Sequence, residues 1–197
     1  MSTHSAWSRE RAWELVASWT PSNALRGHMR AVELVMRQLA PRYGGDPEWW
    51  GVVGLLHDFD YERHPNAERA ADHEHPSEGV RYLRAHGFPD DGCAAILGHA
   101  EFTNTPRTSD LARVLFAVDE LVGFVVACGL VRPSKSLADL EPPSVLKKLK
   151  DKGFARGVSR DDVRNGATEL GVPLDALITD VLTALRPHER ELGLGGA

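Results

Sequence analysis

The chain has 197 residues, 42% hydrophobic and 26% charged, close to the averages for globular proteins, which argues against a disordered or membrane-embedded chain. A globule of this length buries roughly 70% of its unfolded surface, enough for a real core. A formal charge of −5 and a pI near 6.0 argue against a surface built to neutralise a nucleic-acid backbone, so no polynucleotide partner is expected.

Apolar residues recur mostly three and four apart, and alternating Val/Ile/Thr-rich runs are scarce, so the fold class read from the sequence is all-α. A short first helix over about Ser8 to Trp19 stops at Thr20-Pro21, and a second runs from about Ser22 to Ala40, closed by Pro41. Asp46-Pro47 is a good helix start, an acceptor side chain followed by proline in the first turn. It opens a third helix that carries His57 and Asp58 at its C-terminal end. Further helices are expected at about Ala67 to His86, Asp90 to His99, Ser109 to Val131, Pro143 to Lys150, Ser159 to Leu170 and Leu174 to Leu185. Between Arg132 and Gly157 the composition shifts to Pro, Ser and Lys, read as a functional loop region. The glycine-rich tail after Pro187 is expected to fray.

No apolar signal core stands in Met1 to Glu10, and the most apolar stretch, Leu111 to Val131, is broken by Arg113, Asp119 and Glu120. With Cys93 and Cys128 both in apolar surroundings, the expectation is two buried thiols and a cytoplasmic protein without a membrane span. Five tryptophans, Trp7, Trp13, Trp19, Trp49 and Trp50, read as packing residues.

Metal chemistry needs imidazoles and carboxylates that converge, and His28, His57, Asp58, His73, His75, His99 and Asp119 are on offer. A His-Asp dipeptide alone means little in a chain with nine histidines. Placement says more. His28 shares an apolar stripe with Leu25, Val32, Val35 and Leu39, so its imidazole points inward and needs a partner. A core histidine bonded to a carbonyl is the bland alternative. Asp119, in Val118-Asp119-Glu120-Leu121, shares a helical face with Leu115, Phe116, Val122 and Gly123, and a buried carboxylate calls for a cation or a metal. Glu120 faces water on the same reading. His64, His73 and His86 read as surface-loop residues.

The order of one histidine, a His-Asp pair near a helix end and a distant aspartate resembles the metal site of the HD-domain superfamily. Leu25-Arg26-Gly27-His28-Met29, Val53-Gly54-Leu55-Leu56-His57-Asp58 and Ala117-Val118-Asp119-Glu120-Leu121 carry the resemblance, which covers about residues 22 to 131. It implies a single HD-type helical bundle over 22–131, preceded by an N-terminal helix in 1–21 and followed by a short helical extension, 132–197, packed on that core. It implies as metal ligands His28, His57, Asp58 and Asp119, joined by His75 and His99, which resemble the additional ligands of two-metal members such as the HD-GYP phosphodiesterases. Asp58 would then bridge two ions; around a single ion His75 and His99 would instead bond substrate. His and carboxylate ligands suit Mn, Fe, Co, Ni or Zn, one or two ions per chain.

The sequence departs from the His-Asp-Ile-Gly-Lys text of HD-GYP and related enzymes, reading His57-Asp58-Phe59-Asp60-Tyr61 without the lysine. That leaves Asp60, Tyr61 and Glu62 as substrate contacts or proton handlers, and with Asp58 the candidates for catalytic roles are Asp58, Asp60 and Glu62. Tyr61, Arg26, Arg107, Arg132 and Lys135 are the candidate substrate-binding residues, the basic ones as phosphate partners. The activity implied is hydrolysis of a phosphomonoester or phosphodiester, in a nucleotide or other small phosphorylated metabolite, by a monomer or homodimer. Two rivals are a di-iron oxygenase of HD type and a non-catalytic sensor that binds a nucleotide or metal. Walker, Gly-x-Ser-x-Gly, His-Glu-x-x-His and Cys-x-x-Cys motifs are absent, which removes support from other familiar chemistries.

Overall fold

A computed structural model describes residues 6–195, and among these every regular element is a helix. The contacts divide the chain into two compact units, residues 1–116 and 117–197.

In the first unit, α1 (Arg9–Trp19) and α2 (Asn23–Leu39) each begin at a serine, Ser8 and Ser22, whose hydroxyl accepts an amide that has no partner inside the helix. α3 (Pro47–Leu56) starts as its sequence demands, Asp46 accepting from the Glu48 amide and Pro47 in the first turn. α2 packs chiefly on α3, and Gly54 permits the close approach: a Cβ there would lie 2.9 Å from Met36 Cγ and 3.3 Å from the Glu33 backbone. The core between them is fully apolar except for Glu33, which is wholly buried and meets Arg9 at 2.8 Å, Arg30 at 2.9 Å and Arg37 at 3.2 Å.

α3 stops at Leu56, with His57 as its cap and a run of tight turns over 57–63. The helix expected over 67–86 is much shorter: α4 spans Ser77–Ala85. Residues 64–76 run as turns and bends because Pro65 and Pro76 both lack an amide to donate, and the Glu74 carboxylate instead binds the Glu68 and Ala70 amides. α5 (Asp90–Gly98) follows, its first turn tied to α3 by the Trp49 indole N–H, which donates to Asp91 at 2.9 Å. Trp7 and Trp49 pack on Phe88, and Trp19 on Phe59 and Tyr82. α6 (Asp110–Leu130) begins in this unit.

The second unit holds the rest of α6 with α7 (Pro142–Leu149), α8 (Arg160–Leu170) and α9 (Leu174–Leu185). Gly166 of α8 sits so close to α6 that a Cβ would lie 2.4 Å from Ala117 Cα. The tail does not fray over 187–195: Leu194 is buried, and Glu189 accepts from the Ser136 hydroxyl at 2.8 Å and the Leu137 amide at 2.9 Å. Gly196 and Ala197 lie outside the described residues. No helix among the described residues is long and apolar enough to cross a membrane. Cys93 and Cys128 are buried free thiols, pushed up to about 11 by burial.

Candidate metal centre

The last carbonyls of a helix have no amide partner within it, and the first unit uses two of them to aim imidazoles. His57 caps α3 and its Nδ1 bonds the Gly54 carbonyl at 2.7 Å; His99 caps α5 and its Nδ1 bonds the Ile96 carbonyl at 2.5 Å. A carbonyl only accepts, so each Nδ1 carries the proton and each Nε2 is left to face the site. His75 is set by a side chain instead, its Nδ1 lying 2.7 Å from Asp60 Oδ1. His28 projects from α2.

These rings converge on Asp58 from two sides. Oδ2 lies 3.7 Å from His28 Nε2 and 3.4 Å from His57 Nε2, and those two nitrogens are 3.2 Å apart. Oδ1 lies 3.2 Å from His75 Nε2 and 3.5 Å from His99 Nε2, which are 3.3 Å apart. Ligands about 2.1 Å from one ion are roughly 3.0 to 3.4 Å from each other in octahedral or tetrahedral geometry. Four of the six separations fall in that range, and the other two, His28 to Oδ2 at 3.7 Å and His99 to Oδ1 at 3.5 Å, exceed it by at most 0.3 Å. Asp58 is thus the common member of two side-chain groups in this unit that could each hold an ion, one with His28 and His57 and one with His75 and His99. Ring nitrogens this close, lone pair to lone pair, repel unless positive charge lies between them, and the donor set therefore fits a divalent transition metal.

The electrostatics agree. Burial alone would raise the Asp58 carboxyl, but the charge of His57 and the bonds from His57, His75 and His99 outweigh it and hold the carboxylate well below its ordinary range. Burial likewise would lower His75, yet Asp58 and Asp60 together push it up to about 9. The cluster is built to hold cationic charge, as protons or as metal.

The remaining candidates are placed differently. Asp119 is half-buried on α6, in the second unit. Tyr61 is exposed beside the centre, its ring edge-on to His75 at 5.2 Å between centroids. Asp60 is fully buried, and its second oxygen accepts the Gly79 amide at 2.7 Å, so it has no surface to offer a substrate. Glu62 accepts from the Ser22 amide at the start of α2. Arg26 donates to the Thr20 and Ala17 carbonyls, and Arg107 to the Gly98 carbonyl while lying over the Phe116 ring. In the second unit Arg132 forks onto Asp139 at 2.9 and 2.6 Å, and Lys135 stands exposed on a turn. Arg132, Lys147, Lys148 and Ser144 line a cavity of about 490 Å³ there. The parts that sequence reasoning missed are the carbonyls of Gly54 and Ile96 and the closeness of Gly79 to Asp60. Glycine within the apolar text of α3 was the one visible signal.

The HD domain family model matches residues 25–122. The chain belongs to the HD-domain superfamily, whose members are mostly metal-dependent phosphohydrolases. Neither the curated proteins nor the solved structures compared with it gave a match.

Proposed function

We propose that this protein hydrolyses a phosphate ester in a small metabolite, a nucleotide before others, at a centre of two divalent metal ions. The observation that carries the reading is the two-sided presentation of Asp58, each carboxylate oxygen facing its own histidine pair at 3.2 to 3.7 Å. His28 and His57 would hold one ion and His75 and His99 the other, with Asp58 common to both. Asp119 is proposed as a further ligand on the His28 side, on the strength of its place in the motif order and inside the family match. A divalent ion held there supplies Lewis acidity, lowering the pKa of water toward neutrality and offsetting the charge of the phosphoryl oxygens.

The chain's own residues supply the rest. His57 and His99, fixed by backbone carbonyls, keep Nε2 directed inward without rotamer search, so the centre is organised before substrate arrives. Tyr61, exposed against His75, is the residue best placed to contact a bound substrate. Arg26, Arg107 and Arg132 spend their guanidinium groups on carbonyls and on Asp139, which weakens their case as phosphate partners. Glu62 is bonded to the α2 start, which favours a role in holding the 57–63 turns against α2.

The same shared carboxylate suits two irons, so oxidative chemistry is the second reading. One experiment separates them: hydrolysis of a panel of phosphomonoesters (read as phosphate) and phosphodiesters (read as the monoester and alcohol formed) by Mn²⁺-loaded protein with and without oxygen, beside O₂ consumption by iron-loaded protein on an organophosphonate or polyol. Turnover that survives anaerobic conditions supports hydrolysis; turnover only with iron and O₂ supports the oxygenase; none with any metal contradicts both.

A further inference from the structure

Of the four imidazoles around Asp58, His75 alone among those with a described Nδ1 partner is held by a carboxylate. Asp60 is fully buried and its two oxygens are both committed, Oδ1 to His75 Nδ1 at 2.7 Å and Oδ2 to the Gly79 amide at 2.7 Å. That amide belongs to the first turn of α4, where helical amides lack partners of their own. Asp60 therefore ties His75, which precedes α4, to the helix that follows it.

Gly79 is part of the device. A Cβ at that position would lie 2.5 Å from Asp60 Cγ and 2.7 and 2.8 Å from its two oxygens, so any larger residue expels the carboxylate. His57 and His99 depend on no comparable side chain, since their partners are backbone carbonyls.

We infer that Asp60, admitted by Gly79, is a positioning residue for the second ion: it fixes the His75 ring so that Nε2 faces Asp58 Oδ1, and occupancy of the His75 and His99 side depends on it. The inference rests on the two-ion reading above. Removing such a partner of a ligand histidine weakens metal binding about 10–100-fold, and here the loss falls on one ion of the pair. The His28 and His57 side keeps its own supports.

The test is a Co²⁺ titration of the metal-stripped full chain by native mass spectrometry, with proton NMR of the loaded protein. Wild type is expected to take up two ions and to show an exchangeable, hyperfine-shifted resonance from His75 Nδ1–H. Asp60→Asn, whose amide nitrogen would confront the Gly79 N–H, and Gly79→Ala are expected to bind the first ion within twofold of wild type. They should weaken the second at least tenfold and lose the His75 resonance. General misfolding would remove both ions, so the selectivity marks positioning. Two ions bound with unchanged affinity in both variants would overturn the inference. If wild type takes up one ion, the two-ion reading fails; the inference fails with it only if the His75 resonance is absent from wild type or unaltered in Asp60→Asn.

Discussion

Glu33 shows how a single residue can hold the first unit together. Its carboxylate is wholly buried and neutralised by Arg9, Arg30 and Arg37, each of which keeps part of its side chain in solvent. Removing one partner of a buried ion pair costs about 3–5 kcal/mol; because the three guanidinium groups can rehydrate, Glu33→Ala should fall near 3 kcal/mol by urea denaturation. The thiols of Cys93 and Cys128, raised to about 11 by burial, stay protonated at pH 8. Native protein should resist alkylation there and react only when unfolded. His75 provides a pH signature for the metal-free chain. Its folded pKa of about 9 lies above the ordinary 6.5, so it contributes stability fully below pH 6.5 and loses it as pH rises through 9. A pH series of thermal melts in chelator should show that decline, and His75→Ala should lack it. At this scale the residues that gather around Asp58 were legible in the sequence, because an imidazole on the apolar stripe of α2 and a His-Asp pair after an apolar helix signal inward chemistry. Asp60 was not: its bond to His75 closes a loop of fifteen residues, and nothing local announces it.

Elements were read well where caps and periodicity agree. Ser8, Ser22, Asp46 and Ser159 each accept an amide at the start of a helix placed there from sequence. α4 was overextended because the spacing of Ala, Glu and Arg in 67–76 fits a helix, whereas Pro76 and the Glu74 bonds to nearby amides hold turns. Helix contacts through glycine lie beyond such reading, since they depend on which helix is opposite. Gly166 offers a clean test. In an open helix Gly→Ala stabilises by up to about 1 kcal/mol, but here the methyl would meet Ala117 Cα at 2.4 Å. Gly166→Ala is therefore expected to destabilise by about 1–3 kcal/mol as an overpacked core does; a stabilised variant, measured by denaturant midpoint, would contradict the packing described.

For the whole molecule, the family match over residues 25–122 runs across the boundary between the two units at 116 and 117, within α6. The activity reading belongs to that region, and residues 123–195 are outside it. Binding that favours the folded state stabilises it by about 2.7 kcal/mol when free ligand is 100 times its Kd. For a chain of this size that corresponds to a rise in melting temperature of roughly 5–10 °C. Wild type melted with and without Mn²⁺ should show the shift, and Asp58→Ala should not. Substrate identity is less legible than the histidine cluster, because two of its imidazoles are fixed by helix ends while Tyr61, proposed above as a substrate contact, lies on turns whose chemistry is not periodic. Anomalous diffraction from Mn²⁺-loaded crystals would decide whether Asp58 is the shared ligand of a metal centre. Anomalous peaks flanking Asp58, one toward His28 and His57 and one toward His75 and His99, are expected; a map with no peak beside Asp58 would show that Asp58 holds no metal.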